Sequence, residues 1–155
     1  MDPHAMVLRW LNESGIEHRL YEHEPTLTSL QAAEYRGVHP STGAKSLVIR
    51  SKDGMALFVI PGDAQLDWKK VRAAGYRGAR LADDDELLLT TGLTKGAVSP
   101  LGGLFGLPVF LDRALTELEL VRFNVASHTE SVEIRGTDLQ PLTGASVGDY
   151  RVTSG

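Results

Sequence analysis

The chain has 155 residues, 42% of them hydrophobic, and carries a net charge of −4 at neutral pH. That length buries a core without staples and fits one globular domain. The acidic balance argues against a protein that coats nucleic acid non-specifically and leaves room only for a local basic patch. The absence of cysteine excludes thiolate catalysis, disulfides and thiolate metal sites, and fits a cytoplasmic setting. The opening residues "MDPHAMVLRW" show no basic region followed by an apolar core. No apolar run approaches the roughly 18 residues of a membrane span. The expectation is a soluble, unexported, cytoplasmic protein with no membrane partner.

Asp2 and Pro3 form an N-cap and first helical position, and Met6, Val7, Trp10 and Leu11 share one face before Gly15 stops the helix. "EHRLYEH" reads as a strand. Thr28 and Gln31 form a capping-box pattern for a helix over "SLQAAEYR", closed by Gly37. "KSLVIRS" and "MALFVI" are strands joined through "KDG", a hairpin signal in which Asp-Gly is expected to supply positive φ angles. A helix over "DWKKVRAA" ends at Gly75, and "DDDELLLTT" forms another, with Asp83 and Glu86 spaced as reciprocal caps. After Gly92 the pattern lapses. "LPVFLD", "LVRFNVA" and "SVEIRG" then read as strands, while residues 144–155 give no signal and are expected to fray. With no repeat, linker or low-complexity tract, the expectation is one α/β domain over residues 1–155. Its sheet should be mixed and largely antiparallel, surrounded by helices.

The stretch "STGAKSLVIRS" superficially resembles the end of a P-loop. A P-loop needs Lys directly after Gly, four residues between its glycines and a helix starting at the Lys. Here Ala44 intervenes, five residues separate Gly37 from Gly43, and a β-branched run follows. Lys45 therefore enters a strand, on the same face as Leu47 and Ile49, with Ser46, Val48 and Arg50 on the other. A lysine heading an apolar face either snorkels past the sheet edge or stands at a pocket mouth, where desolvation favours its neutral form.

A second unusual segment runs from Gly92 to Pro108, with five glycines and two prolines in 17 residues. Glycine permits positive φ or close backbone approach, and Pro100 fixes the chain after Ser99. Such a loop either crosses the surface without a ligand or exposes N–H groups to a carbonyl oxygen or oxyanion.

Lys45 in "KSLVIRS", the loop "GAVSP" from Gly96 to Pro100, the intervening "RLADDDEL" and the later "FNVASHTESVEI" together resemble the YbaK/ProX family. These are free-standing relatives of the editing domain inserted in bacterial prolyl-tRNA synthetases. The resemblance spans about Tyr21 to Leu139 and implies the editing-domain fold. It also implies hydrolysis, in trans and without a cofactor, of the ester joining a wrong amino acid to the terminal adenosine of tRNA, a function in translation fidelity. Lys45 and the amides around Gly96 would orient the attack and stabilise the oxyanion. Ala97, Val98, Ser99 and Pro100 would line the substrate. Tyr21 matches a pocket aromatic, although a strand tyrosine is equally a packing residue. Ser127 and His128 fall in the family's pocket-side segment, although His128 also suits an ordinary turn. The alanine-specific subgroup resembles "KNLFL" at the strand, whereas this chain has Ser46 there. The amino acid is therefore left as a small or polar one such as Ala, Ser, Thr or Cys.

Between Lys69 and Arg80 there are five basic residues, Lys69, Lys70, Arg72, Arg77 and Arg80, and no acidic one. Such a run is either a solvated helix face or a tRNA phosphate contact, with Arg80 matching a family arginine. His18 and His23 fall on opposite faces of their strand, which suits solvent better than zinc, so no metal site is expected. The expected partner is aminoacyl-tRNA, with a synthetase as a further candidate and no DNA. Two rival readings remain: a non-catalytic tRNA- or synthetase-binding module, and a hydrolase or binder of a small aminoacyl ligand unrelated to tRNA.

Overall fold

The computed structural model describes residues 2–25 and 39–153. The helix expected over "SLQAAEYR" lies outside them. Helix α1 (Pro3–Ser14) starts at Asp2, whose carboxylate accepts the Ala5 N–H, and ends at Gly15 with φ +72°. Val7 and Leu11 are fully buried, while the Trp10 indole donates to the Leu142 carbonyl. Strand β1 (Arg19–Glu22) follows.

The hairpin of β2 (Ala44–Ser51) and β3 (Gly54–Pro61) is paired in register from Ala44 opposite Pro61 to Ser51 opposite Gly54. Only Gly54 of the turn takes a positive φ, +109°; Asp53 does not. Its carboxylate instead accepts bonds from the backbone and guanidinium of Arg77. Helix α2 (Trp68–Ala73) is capped by Asp67, and Gly75 turns the chain away with φ +111°. A two-residue strand β4 (Arg80–Leu81) leads to helix α3 (Asp84–Thr91), which carries the full Asp83–Glu86 capping box. The remaining elements are β5 (Val109–Asp112), a short α4 (Arg113–Thr116), β6 (Leu120–Asn124), β7 (Glu130–Arg135), α5 (Gly136–Thr143) and β8 (Ser146–Gly148).

Among the described residues the strands form two sheets, not one. Three strands run antiparallel in the order β1-β7-β6, and five in the order β4-β2-β3-β5-β8. The β2 pairings are antiparallel, whereas β3–β5 and β5–β8 are parallel. The alternation expected for β2 and β3 is what places the core. Val48, Leu57 and Val59 pack with Val121, Phe123, Val132 and Ile134 of the smaller sheet and with Val7 and Leu11. On the opposite face Ile49, Phe58 and Ile60 pack with Leu66 and Val71. Burying Phe58 alone contributes about 1.5–3 kcal/mol, and its ring also stacks on Phe110 at 4.8 Å and meets Tyr150 edge-on at 5.3 Å.

Tyr150 belongs to the segment expected to fray. That segment is instead ordered through Thr153. The buried Asp112 carboxylate caps α4 through Ala114 N–H and accepts the N–H groups of Tyr150 and Arg151. Val152 N–H donates to the Gln65 carbonyl. A carboxylate that satisfies three backbone donors from segments 38 residues apart in sequence explains why local composition carried no sign of the order.

Candidate active site

Strand β4 covers little of β2. The register pairs only Ile49 with Leu81 and Arg50 with Arg80, and the Val48 carbonyl then accepts the Ala82 N–H. In an antiparallel pair, successive residues turn their N–H and C=O groups to alternate edges. Gly43 accepts from Gly62 across the hairpin. Ser46 therefore turns its main-chain groups the other way, toward an edge that β4 does not reach.

A cavity of about 860 Å³ opens at this edge. Its lining includes Lys45, Ser46, Gly96, Val98 and Asn124, and also Gln65, Asp67, Trp68 and Lys69. Strand β6 is brought here by a parallel bridge between Gly43 and Arg122, which sets Asn124 beside the glycine loop.

Lys45 is partly buried, and its ammonium donates to the Ala64 carbonyl at 2.5 Å. Burial pushes its pKa below the usual lysine value of 10.5, and the nearby Asp63 carboxylate opposes that shift. Of the two positions left open by the sequence, this is the pocket mouth. Gly96 sits at φ +90°, a conformation that suits glycine and strains branched residues. The Asn124 amide donates to the Gly96 carbonyl. The Ala97 N–H is taken by Thr94, whereas among the described residues the Gly96 N–H meets no acceptor. The cavity lining thus brings together a desolvated cation and the glycine loop.

The other expected site residues fall into three groups. Val98 lines the cavity, while Ala97, Ser99 and Pro100 are buried beneath it, with Ser99 Oγ accepting the Leu101 N–H. Ser127 Oγ accepts the Thr129 N–H, and His128 Nε2 meets Thr94 Oγ1 at 2.8 Å. The β6–β7 turn therefore braces the loop from behind, helped by Ala126 at φ +59°, and neither residue is part of the cavity wall. Tyr21 is also off that wall. Its ring lies between the guanidiniums of Arg19 and Arg122, and its hydroxyl donates to Glu133.

Within the basic run, Lys69 lines the cavity and Lys70 donates to the Arg151 carbonyl. Arg77 pairs with Asp53 at 2.9 Å and Arg80 with Glu86 at 2.6 Å. Among the described residues Lys69 and Arg72 pair with no carboxylate. His18 bonds the Ile16 carbonyl and His23 bonds Ser131. Among the described residues no group of three or more His, Asp or Glu side chains is placed to hold a metal. No described helix is long and apolar enough to cross a membrane.

Sequence reasoning missed Ser46, Asn124 and Trp68 as site residues. Ser46 Oγ is buried and has no hydrogen-bond partner among the described residues. Asparagine directly after "LVRF" was the available signal for Asn124, since a polar residue ending an apolar strand needs a partner.

Comparison with known proteins places this geometry. Residues 23–142 match the model of the aminoacyl-tRNA editing domain family. Protein YwhH of Bacillus subtilis (strain 168) is 35% identical over 118 residues, covering 76% of this chain and 75% of that protein. The prolyl-tRNA editing protein ProX of Acetoanaerobium sticklandii is 27% identical, over 97% of this chain and 96% of its own. The crystal structure of hypothetical protein APE2540 superposes with a TM-score of 0.86 at 30% identity, covering 94% of this chain and 99% of that one. A strand edge that β4 does not reach, a desolvated lysine and a glycine loop are thus set in the shared fold of these proteins, and the chain belongs to the aminoacyl-tRNA editing domain family, the YbaK-like deacylases.

Proposed function

We propose that this protein hydrolyses, in trans, the ester of tRNA carrying a wrong small or polar amino acid. The observation that carries the reading is that Lys45 and Gly96 both line the cavity of about 860 Å³ beside β2. An ester carbonyl already reacts with water, so fixed donors aimed at the developing oxyanion are sufficient catalysis. Lys45 contributes charge held in place by the Ala64 carbonyl. Gly96 contributes an N–H, and the peptide that follows it is fixed by Asn124 through the Gly96 carbonyl.

Ser46, Gly96 and Val98 contribute small residues to the cavity lining, with Asn124 beside them. Such a lining suits Ala, Ser, Thr or Cys and excludes larger side chains sterically. The name of the ProX relative assigns prolyl-tRNA editing to that protein, which supports tRNA as the carrier here. Delivery by a synthetase fits a chain that edits outside the synthetase itself.

The test is incubation with a panel of mischarged tRNAs, following loss of labelled amino acid. Release above the spontaneous rate from at least one of the Ala, Ser, Thr or Cys esters is expected. Stable binding without release from any tRNA would overturn the reading in favour of a non-catalytic module.

A further inference from the structure

Part of the cavity lining has a composition that ester hydrolysis does not need. Trp68 is 41% exposed, Leu81 47% and Val152 53%, and all three line the cavity. Large apolar side chains gathered at a cavity rim mark a binding surface. Trp68 is the clearest case. It stands first in α2, after the N-cap Asp67, and packs into neither core cluster. Among the described residues no ring, cation or hydrogen-bond acceptor engages its indole. The protein's other tryptophan, Trp10, is held by Leu142 and packed against the core.

The position of this indole is fixed relative to the chemistry. Lys45 bonds the carbonyl of Ala64, and four residues later the same segment presents Trp68. Val152 N–H donates to the Gln65 carbonyl and so ties Val152 to the segment that carries Trp68. Lys69 follows Trp68 in the cavity lining, and Lys95 lines it from the glycine loop. The Asp67 carboxylate, the acid of this lining, is engaged with the Lys69 N–H at 3.0 Å. An aromatic face flanked by lysines, beside a site for an ester, has the chemistry of a single-stranded nucleic-acid contact: bases stack on the ring and phosphates meet the cations.

We propose that Trp68 is the stacking platform for an unpaired base of the tRNA 3′ end, with Lys69 meeting the adjoining phosphate. The lining is then shared between two parts of the substrate: Ser46, Gly96, Val98 and Asn124 take the aminoacyl group, and Trp68, Lys69, Leu81 and Val152 take the nucleotide. This inference rests on the deacylase reading for its substrate, but its binding step needs no hydrolysis.

The experiment has two arms. In Trp10→Phe protein, checked for native circular dichroism, Trp68 is the sole indole, and its fluorescence is titrated with the uncharged trinucleotide CCA up to millimolar concentration. Saturable quenching is expected, and none with ribose 5-phosphate, which has no base. In the second arm, Trp68→Ala should raise KM for aminoacyl-tRNA about 5- to 150-fold, the range of one lost stacking contact. It should leave kcat and the thermal midpoint near wild type, and Trp68→Phe should recover most of the loss. Hydrolysis of an amino-acid ethyl ester, which carries no base, should be unchanged. Absence of quenching, an unchanged KM in Trp68→Ala, or equal losses on the ethyl ester would overturn the proposal. Quenching without deacylation of any tRNA would instead sink the hydrolytic reading and leave the base-stacking site standing.

Discussion

Replacing Lys45 by methionine separates catalysis from stability. The ammonium donates one bond, to the Ala64 carbonyl, and hydrogen bonds from charged groups contribute about 1.5–3 kcal/mol. Against this stands the cost of desolvating the charge, visible in a pKa held below 10.5 by burial. Methionine keeps an unbranched apolar stem beside Leu47 and removes the buried charge. The two effects oppose one another, so the net change should stay within about 1 kcal/mol, or about 2–4 °C in Tm for a domain of this size. Activity should behave differently, because removing one oxyanion donor costs about 100- to 1,000-fold in kcat.

The assay is background-corrected release of amino acid from mischarged tRNA, run beside a thermal melt. The wild-type pH profile supplies an independent sign. If the charged form acts, kcat/KM declines as pH rises through the depressed lysine pKa, at a pH below 10.5, and this limb vanishes from the residual activity of Lys45→Met. Lys45→Arg should not rescue, since a planar guanidinium is wider than the ammonium it replaces. Wild-type kcat/KM in the methionine variant would refute the catalytic role. A loss of activity that tracks a Tm drop of about 10 °C or more would reduce Lys45 to packing.

Gly96→Val should lower kcat far more than Ser99→Ala. The first forces a branched side chain to φ +90° beside the ester, while the second removes only a 3.3 Å bond to the Leu101 N–H; equal small effects in steady-state kinetics would make the loop a mere connection. Asn124→Ala should lower kcat about 10-fold or more with a stability cost of about 1 kcal/mol, because it frees the Gly96 peptide while removing one hydrogen bond; unchanged kcat would show the loop holding itself. Neutralising Lys69 and Arg72 should raise KM for aminoacyl-tRNA and flatten its log–log salt dependence by at most about one unit per contact. Arg77→Ala and Arg80→Ala should do less, since those charges already meet Asp53 and Glu86, and the reverse order in salt titrations would restore them as phosphate contacts. Glu86 is held at about 2, first by its bond from Arg80, against an ordinary 4.5. The stability it contributes is therefore complete above 4.5 and lost as pH falls toward 2, and Glu86→Gln should melt with less pH dependence across that window.

The sequence by itself determined the elements whose signals are local. Asp2 and Gly15 bound α1, Asp83 and Glu86 start α3, and the alternation in "KSLVIRS" and "MALFVI" assigned both faces of the hairpin, including the placement of Lys45 with Leu47 and Ile49. Caps and period-2 patterns depend on neighbours a few residues away, so composition suffices to read them. Lys45 and Gly96, which line the cavity, were legible through the family resemblance together with the oddity of a lysine on an apolar strand face. Tertiary structure decided the rest. The final segment has no pattern of its own, and its order comes from Asp112, whose carboxylate collects N–H groups across 38 residues of sequence. Asn124 acquires a role only because the Gly43–Arg122 bridge sets β6 beside the loop. Arg77 and Arg80 look like free cations in one dimension and are paired in three, Arg77 with an acid 24 residues earlier and Arg80 with one six residues later. The cavity opens where β4, only two residues long, stops short of Ser46. The length of a strand pairing depends on where the partner chain is carried by packing elsewhere, and no local pattern records that.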